Sequence, residues 1–194
     1  MIGILDYGAG NLRSVQKAFE RLGERAAVSS DCTELNGCDK LVLPGVGSFG
    51  AGIARLRESG LADYLTARVS DTPLLGICLG MQFLLEESEE EGLHAGLGLV
   101  KGRVVPFTQG KVPHTGWNGV TGSGRLFCGI PAGTQFYFVH SYFADTQEVF
   151  TIGKTEYHRT FASAVCAGNA YGVQFHPEKS GDAGLQLLEN FLRL

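Results

Sequence analysis

Two short segments of this sequence carry residue types whose spacing fits nucleophilic attack on an amide. In Gly76-Ile77-Cys78-Leu79-Gly80 a cysteine stands between small residues two positions to either side. That is the form of a nucleophile elbow, where a buried strand turns sharply into a helix and exposes a strained apex residue. Small flanking residues are needed because the strand and helix backbones pass close together. A helix N-terminus at the same place favours a thiolate, which attacks an amide carbonyl far better than a thiol does. A cysteine among apolar neighbours is ordinarily a packing residue, so the pattern gains its weight from a matching base. Val173-Gln174-Phe175-His176-Pro177-Glu178 supplies one. Pro177 keeps His176 extended, and residues i and i+2 of extended chain project to the same side. Glu178 can then accept from Nδ1–H of His176, leaving Nε2 to take the thiol proton. The implied chemistry is acyl transfer through Cys78, His176 and Glu178.

Such chemistry also needs donors for a developing oxyanion and a pocket for the substrate. Pro44-Gly45-Val46-Gly47 closes an apolar run, and its glycines let backbone N–H groups face a ligand. This loop can supply one oxyanion donor and the Leu79 N–H the other. An amino-acid substrate would need its ammonium neutralised and its carboxylate held. Gln82 lies one helical turn past Cys78. The run Glu86-Glu87-Ser88-Glu89-Glu90-Glu91 offers carboxylates, most of which belong to a solvated surface. His140-Ser141-Tyr142 ends a β-rich stretch and could present backbone groups to a carboxylate.

The elements that must position these groups follow from apolar periodicity. The first half alternates short apolar runs with helical patterns, the reading of a parallel sheet with crossover helices. Strands are expected at 2–5, 26–28, 41–43 and 74–77. Between them, a helix capped by Asn11 carries Leu12, Val15, Phe19 and Leu22 on one face and stops at Gly23. A second helical stretch runs from about Gly50 to Val69, interrupted at Gly60, and a third runs from Leu79 into the acidic run. Beyond about residue 96 the texture turns β-rich, at 100–107, 134–143, 149–155, 162–166 and 171–175. The chain closes on a helix capped by Asp182. The expected fold is a single α/β domain over 1–194: an open, mostly parallel sheet with flanking helices and additional antiparallel strands in the second half. Ligand sites in such sheets lie at the carboxyl ends of the strands.

Composition excludes several alternatives. The 194 residues are 44% hydrophobic and 19% charged, with a formal net charge of −4, which leaves no large basic footprint for nucleic acid. No window approaches 18 uninterrupted apolar residues, and the N-terminus lacks the basic region of a signal peptide. Neither a membrane partner nor export is expected. The five cysteines form no CxxC pair and the five histidines show no HExxH spacing. A reducing cytoplasmic setting with free thiols, and no metal site, is the expectation.

Taken together, Gly-Ile-Cys-Leu-Gly-Met-Gln at 76–82 and His-Pro-Glu at 176–178 resemble the hallmarks of the triad-type (class I) glutamine amidotransferases, a flavodoxin-like family. More narrowly, the chain is similar to the glutaminase subunits of imidazole glycerol phosphate synthase. Asp6-Tyr7-Gly8-Ala9-Gly10-Asn11-Leu12, Pro44-Gly45-Val46-Gly47-Ser48-Phe49, Pro113-His114-Thr115-Gly116-Trp117-Asn118 and His176-Pro177-Glu178-Lys179-Ser180 carry that likeness in order along the chain. Thr115 departs from the pattern, where Met is expected, at a position assigned to the outer surface. The resemblance implies hydrolysis of glutamine to glutamate and ammonia, and no cofactor. It implies a heterodimer with a (βα)8-barrel cyclase that uses the ammonia to make imidazole glycerol phosphate and aminoimidazole carboxamide ribonucleotide. Carried over by motif, the Val46 and Leu79 N–H groups face the oxyanion. Gly47, Gln82, Glu90, Ser141 and Tyr142 bind glutamine, and Asn11, Trp117 and Lys179 face the partner. Related readings are an amidotransferase subunit of another biosynthetic synthase, a cysteine peptidase of similar topology, and a non-catalytic binding module.

Overall fold

The apolar residues of the N-terminal half fall in short continuous runs because the inner strands they form are covered on both faces. A computed structural model describes residues 1–194. Strands β1 (Ile2–Leu5), β2 (Ala26–Ser29), β3 (Lys40–Gly45) and β4 (Leu74–Cys78) lie parallel in the order β2-β1-β3-β4. Ile2, Ile4, Val42, Leu75 and Ile77 face one layer of the core with Val15 and Phe19 of α1 (Leu12–Arg21) and Leu187 and Phe191 of α6 (Gly181–Leu192). Leu5, Leu41, Leu43 and Leu74 face the other, where α2 (Cys32–Leu35), α3 (Phe49–Glu58) and α4 (Leu61–Arg68) supply Leu35, Ile53, Leu56 and Leu65. Each such fully buried side chain stabilises the fold by roughly 1.5–3 kcal/mol.

The second half adds antiparallel strands to the same sheet. Its elements are β5 (Glu87–Ser88), β6 (His94–Ala95), β7 (Arg103–Pro106), β8 (His114–Gly122), β9 (Thr134–His140), β10 (Tyr142–Asp145), β11 (Thr151–Glu156), β12 (Thr160–Ala167) and β13 (Ala170–Val173). Beyond β4 the order continues β13-β12-β10-β7-β5-β6, with β11 on β12 and the β8–β9 hairpin hanging from β11. Strand β13 is the seam, parallel to β4 and antiparallel to β12. The expected breaks at Gly23 and Gly60 fall between elements, and each expected β-rich stretch overlaps a strand, with 134–143 divided between β9 and β10 at Ser141.

Three expectations are corrected. The helix after Cys78, α5 (Leu79–Phe83), does not reach the acidic run, because Leu97, Val100 and Gly98 donate N–H groups to the carbonyls of Phe83, Leu84 and Leu85. Those carbonyls are unavailable to a continuing helix, and Glu87–Ser88 instead pairs as a strand with β6 and β7. Asn11 occupies the cap position of α1 without a side-chain hydrogen bond. Asp182 lies in the first turn of α6, whose cap position belongs to Ser180. Nine-residue β8 was not expected at all, since its His-Thr-Gly-Trp-Asn-Gly-Val-Thr-Gly sequence has no clean apolar alternation.

Candidate active site

Strand pairing brings the two chemical segments together. Gly76 and Ile77 of β4 pair with Gly172 and Val173 of β13, so Cys78 and His176 emerge from neighbouring parallel strands at the same carboxyl edge. Cys78 is the apex, with φ 55° and ψ −109°. A non-glycine residue held there stores strain of about 1–3 kcal/mol. The flanking glycines are required by contact, as the spacing predicts. A Cβ on Gly80 would fall 1.8 Å from the Leu43 carbonyl oxygen, and one on Gly76 would fall 2.6 Å from that of Gly80.

His176 is held from both sides. Its backbone N–H donates to the Tyr137 carbonyl (2.9 Å), and its carbonyl accepts from Ser180 Oγ (2.6 Å), which also takes the Tyr137 N–H (3.0 Å). That duty explains why Ser180 does not cap α6 with its side chain. The His176 Nδ1 and Glu178 Oε1 atoms are 2.8 Å apart, with both side chains at most 2% exposed. Burial alone would lower the imidazole pKa. The neighbouring Cys78 thiol and the hydrogen-bonded Glu178 carboxylate override it, raising the value to about 9. The thiol acts at close range without meeting hydrogen-bond geometry, for Nε2 has no partner within the chain. The groups that do meet Sγ are Gln174 Nε2, at 3.7 Å, and the Val139 carbonyl, at 3.9 Å.

Cys78 and His176 open onto a cavity of about 260 Å³. All seven residues assigned to the oxyanion and glutamine sites line it: Val46, Leu79, Gly47, Gln82, Glu90, Ser141 and Tyr142. Val46 and Gly47 lie outside any strand or helix, and their N–H groups meet no acceptor in the chain. Gln82 is buried with its amide nitrogen 3.1 Å from both the Tyr142 carbonyl and Gln174 Oε1. Glu90 reaches the wall while its Oε2 accepts the Phe49 N–H (2.6 Å), satisfying one of the free donors that begin α3. Within the acidic run, Glu86 and Glu89 turn elsewhere, to the Gly102 N–H and to Arg103.

Trp117 is 58% exposed and meets Tyr137 edge-on at 6.1 Å, and Lys179 Nζ lies 5.9 Å above the same Tyr137 ring. Asn11 heads α1, which packs on the 177–179 turn. Thr115 is exposed on β8. Sequence reasoning missed Gln174, fully buried against the nucleophile, although a polar residue inside Tyr-Gly-Val-Gln-Phe was a signal. It also missed Pro113, Val139 and the His140 ring at the cavity wall, although Pro113 and His140 open two of the segments it singled out. No group of three or more His, Cys, Asp or Glu side chains is arranged to hold a metal ion. No helix is long and apolar enough to cross a membrane.

Comparison with known proteins agrees with this geometry. Residues 3–194 match the family model for glutamine amidotransferase class-I. The chain is 49% identical to the imidazole glycerol phosphate synthase subunit HisH of Methanocaldococcus jannaschii, over the whole of both chains. It is 50% identical to the subunit of the same name from Chlorobium luteolum, over 98% of each. Among solved structures, a glutamine amidotransferase superposes with a TM-score of 0.80 at 21% identity, covering 99% of this chain and 97% of that one. PurLQS from Thermotoga maritima gives the same TM-score and coverage at 19% identity, a likeness of fold.

Proposed function

The chain belongs to the class-I glutamine amidotransferases, among the imidazole glycerol phosphate synthase subunits, and from that premise we propose that its cavity hydrolyses glutamine to glutamate and ammonia. The observation that carries the reading is the buried His176–Glu178 pair, with Nε2 unpaired, beside a strained Cys78 at the wall of a cavity closed by free backbone donors.

In this mechanism the Cys78 thiolate attacks the side-chain amide carbon of glutamine. His176 takes the thiol proton as attack proceeds, and Glu178 steadies the resulting imidazolium through Nδ1. The Val46 and Leu79 N–H groups stabilise the tetrahedral oxyanion. Imidazolium Nε2–H then protonates the departing ammonia, leaving a glutamyl thioester. His176 next takes a proton from water, whose attack releases glutamate and restores the thiol. Glu90 neutralises the substrate ammonium. Gly47, Gln82, Ser141 and Tyr142 hold the rest of the substrate.

The chain acts as a single domain, in the cytoplasm, in a heterodimer with a (βα)8-barrel cyclase that docks over Asn11, Trp117 and Lys179. Ammonia passes into the barrel, where it enters the synthesis of imidazole glycerol phosphate and aminoimidazole carboxamide ribonucleotide in histidine biosynthesis. The test is Cys78→Ala in the assembled complex. Glutamine-dependent turnover should vanish, while activity with added ammonium salt persists, since cyclisation needs no thiolate. Loss of both activities in an intact complex would contradict the division of labour.

A further inference from the structure

Two buried histidines outside the triad form a hydrogen-bonded chain that ends on the cavity wall. His140 Nδ1 lies 2.7 Å from the Tyr142 carbonyl oxygen, His140 Nε2 lies 2.9 Å from His114 Nδ1, and His114 Nε2 lies 3.2 Å from Asn118 Nδ2. The direction is fixed by its ends. A carbonyl oxygen only accepts, so the His140 proton sits on Nδ1 and its Nε2 must accept. His114 therefore donates from Nδ1, and its Nε2 accepts from the Asn118 amide. The Asn118 amide is itself oriented, taking the Gly119 N–H on Oδ1 (2.7 Å) and giving its other proton to the Glu156 carbonyl (2.9 Å). Every ring nitrogen is thus satisfied with both imidazoles neutral. Burial agrees with that state, holding His114 down to about pH 4 and His140 to about 3.

Apolar packing closes off other partners. His114 stacks on Tyr157 at 3.9 Å and on Phe138 at 4.9 Å, and His140 meets Phe107 and Phe161 edge-on or tilted within 5.4 Å. The carbonyls that follow His140 are also engaged. The Tyr142 carbonyl takes a second bond from Gln82, and the Ser141 carbonyl accepts from the Phe107 N–H at 3.1 Å. The Ser141 N–H meets no acceptor within the chain, and Ser141 lies at the cavity wall.

We infer that His114 and His140 are positioning residues, a fixed-tautomer relay from β8 that holds the Ser141 N–H toward the cavity to bind the α-carboxylate of the substrate. This rests on the proposed glutamine site and deepens it. The relay contributes to substrate affinity and takes no part in proton transfer at Cys78.

The test uses the full-length Cys78→Ala chain, which can bind glutamine without consuming it, and titrates glutamine calorimetrically. Adding His114→Phe keeps the aromatic stack but leaves His140 Nε2 buried without a donor, and should weaken binding roughly tenfold. His114→Gln can both donate to His140 and accept from Asn118, so affinity should return to within about threefold of the parent. In the catalytically intact assembled complex the same Phe substitution should raise KM with kcat nearly unchanged. Equal affinity in a folded His114→Phe chain overturns the inference, and so does a fall in kcat at constant KM. A parent chain that binds no glutamine would sink the proposed substrate instead. The relay itself is read separately, by ¹⁵N NMR of the histidine rings of the wild-type chain at neutral pH. Nδ1–H on both His114 and His140 is expected, and an Nε2–H on His140 breaks the chain.

Discussion

Replacing Glu178 by glutamine removes one charge from the triad and little else. The carboxamide oxygen of the new side chain can still accept from His176 Nδ1–H, so the tautomer and ring orientation persist. What disappears is the carboxylate facing the imidazolium at 2.8 Å, between side chains at most 2% exposed, where solvent screening is weak. Lifting the imidazole from 6.5 to about 9 against the pull of burial corresponds to about 3 kcal/mol in favour of its charged form. That sets a scale of roughly 300-fold in rate. Cys78 shares the effect with Glu178, so the expected fall in kcat for glutamine hydrolysis is about 10- to 100-fold. Glutamate release should be followed in the assembled complex at saturating glutamine, beside Cys78→Ala and with ammonia-driven cyclisation as the assembly control. A Glu178→Gln rate equal to wild type would show that the carboxylate does not assist the base. A loss as complete as that of Cys78→Ala would show that it does more than hold charge.

The same pair makes a prediction about stability. His176 is raised in the fold, so its contribution is complete below pH 6.5 and is lost as pH climbs through about 9. In urea unfolding, the advantage of wild type over Glu178→Gln should therefore shrink across that window, and a pH-independent difference would count against the pairing. Gly80→Ala places a methyl group 1.8 Å from the Leu43 carbonyl oxygen. It should destabilise the fold by more than about 3 kcal/mol, measured as a lowered unfolding midpoint, and an undiminished midpoint would mean that α5 can move away from β3. Val46→Pro deletes one unpaired N–H of the cavity rim. It should cost about 10²- to 10³-fold in partner-stimulated glutaminase rate, while full stimulation in a folded complex would remove Val46 from the oxyanion site.

Much of the site was legible because its chemistry is local in sequence. The elbow and the His-Pro-Glu segment each carry their own geometry, and short apolar runs identified the strands that set them side by side. The remainder depends on contacts that no window contains. Whether the helix after Cys78 continues is decided by N–H groups of residues 97–100 reaching its carbonyls. Glu90 was one carboxylate among five until the fold turned it to the Phe49 N–H. Strand β8 is glycine-rich and half exposed, held by its partner β9 more than by its own apolar content. Its His114 reads as an isolated histidine until His140, on the facing strand, comes within hydrogen-bonding distance.

The seam strand β13 also has a consequence for the order in which activity appears. It lies beside β4, yet the base it delivers follows Cys78 by roughly 100 residues in the chain. At about 5–20 residues per second of synthesis, the thiol exists for about 5–20 s before its base has been made. During that interval β4 lacks one neighbour, and the elbow has neither its imidazole nor its Gln174 contact. The nucleophile is therefore born unarmed. With His176 as the base of the proposed site, glutamine hydrolysis has to wait for β13, the last strand to be synthesised, to dock between β4 and β12.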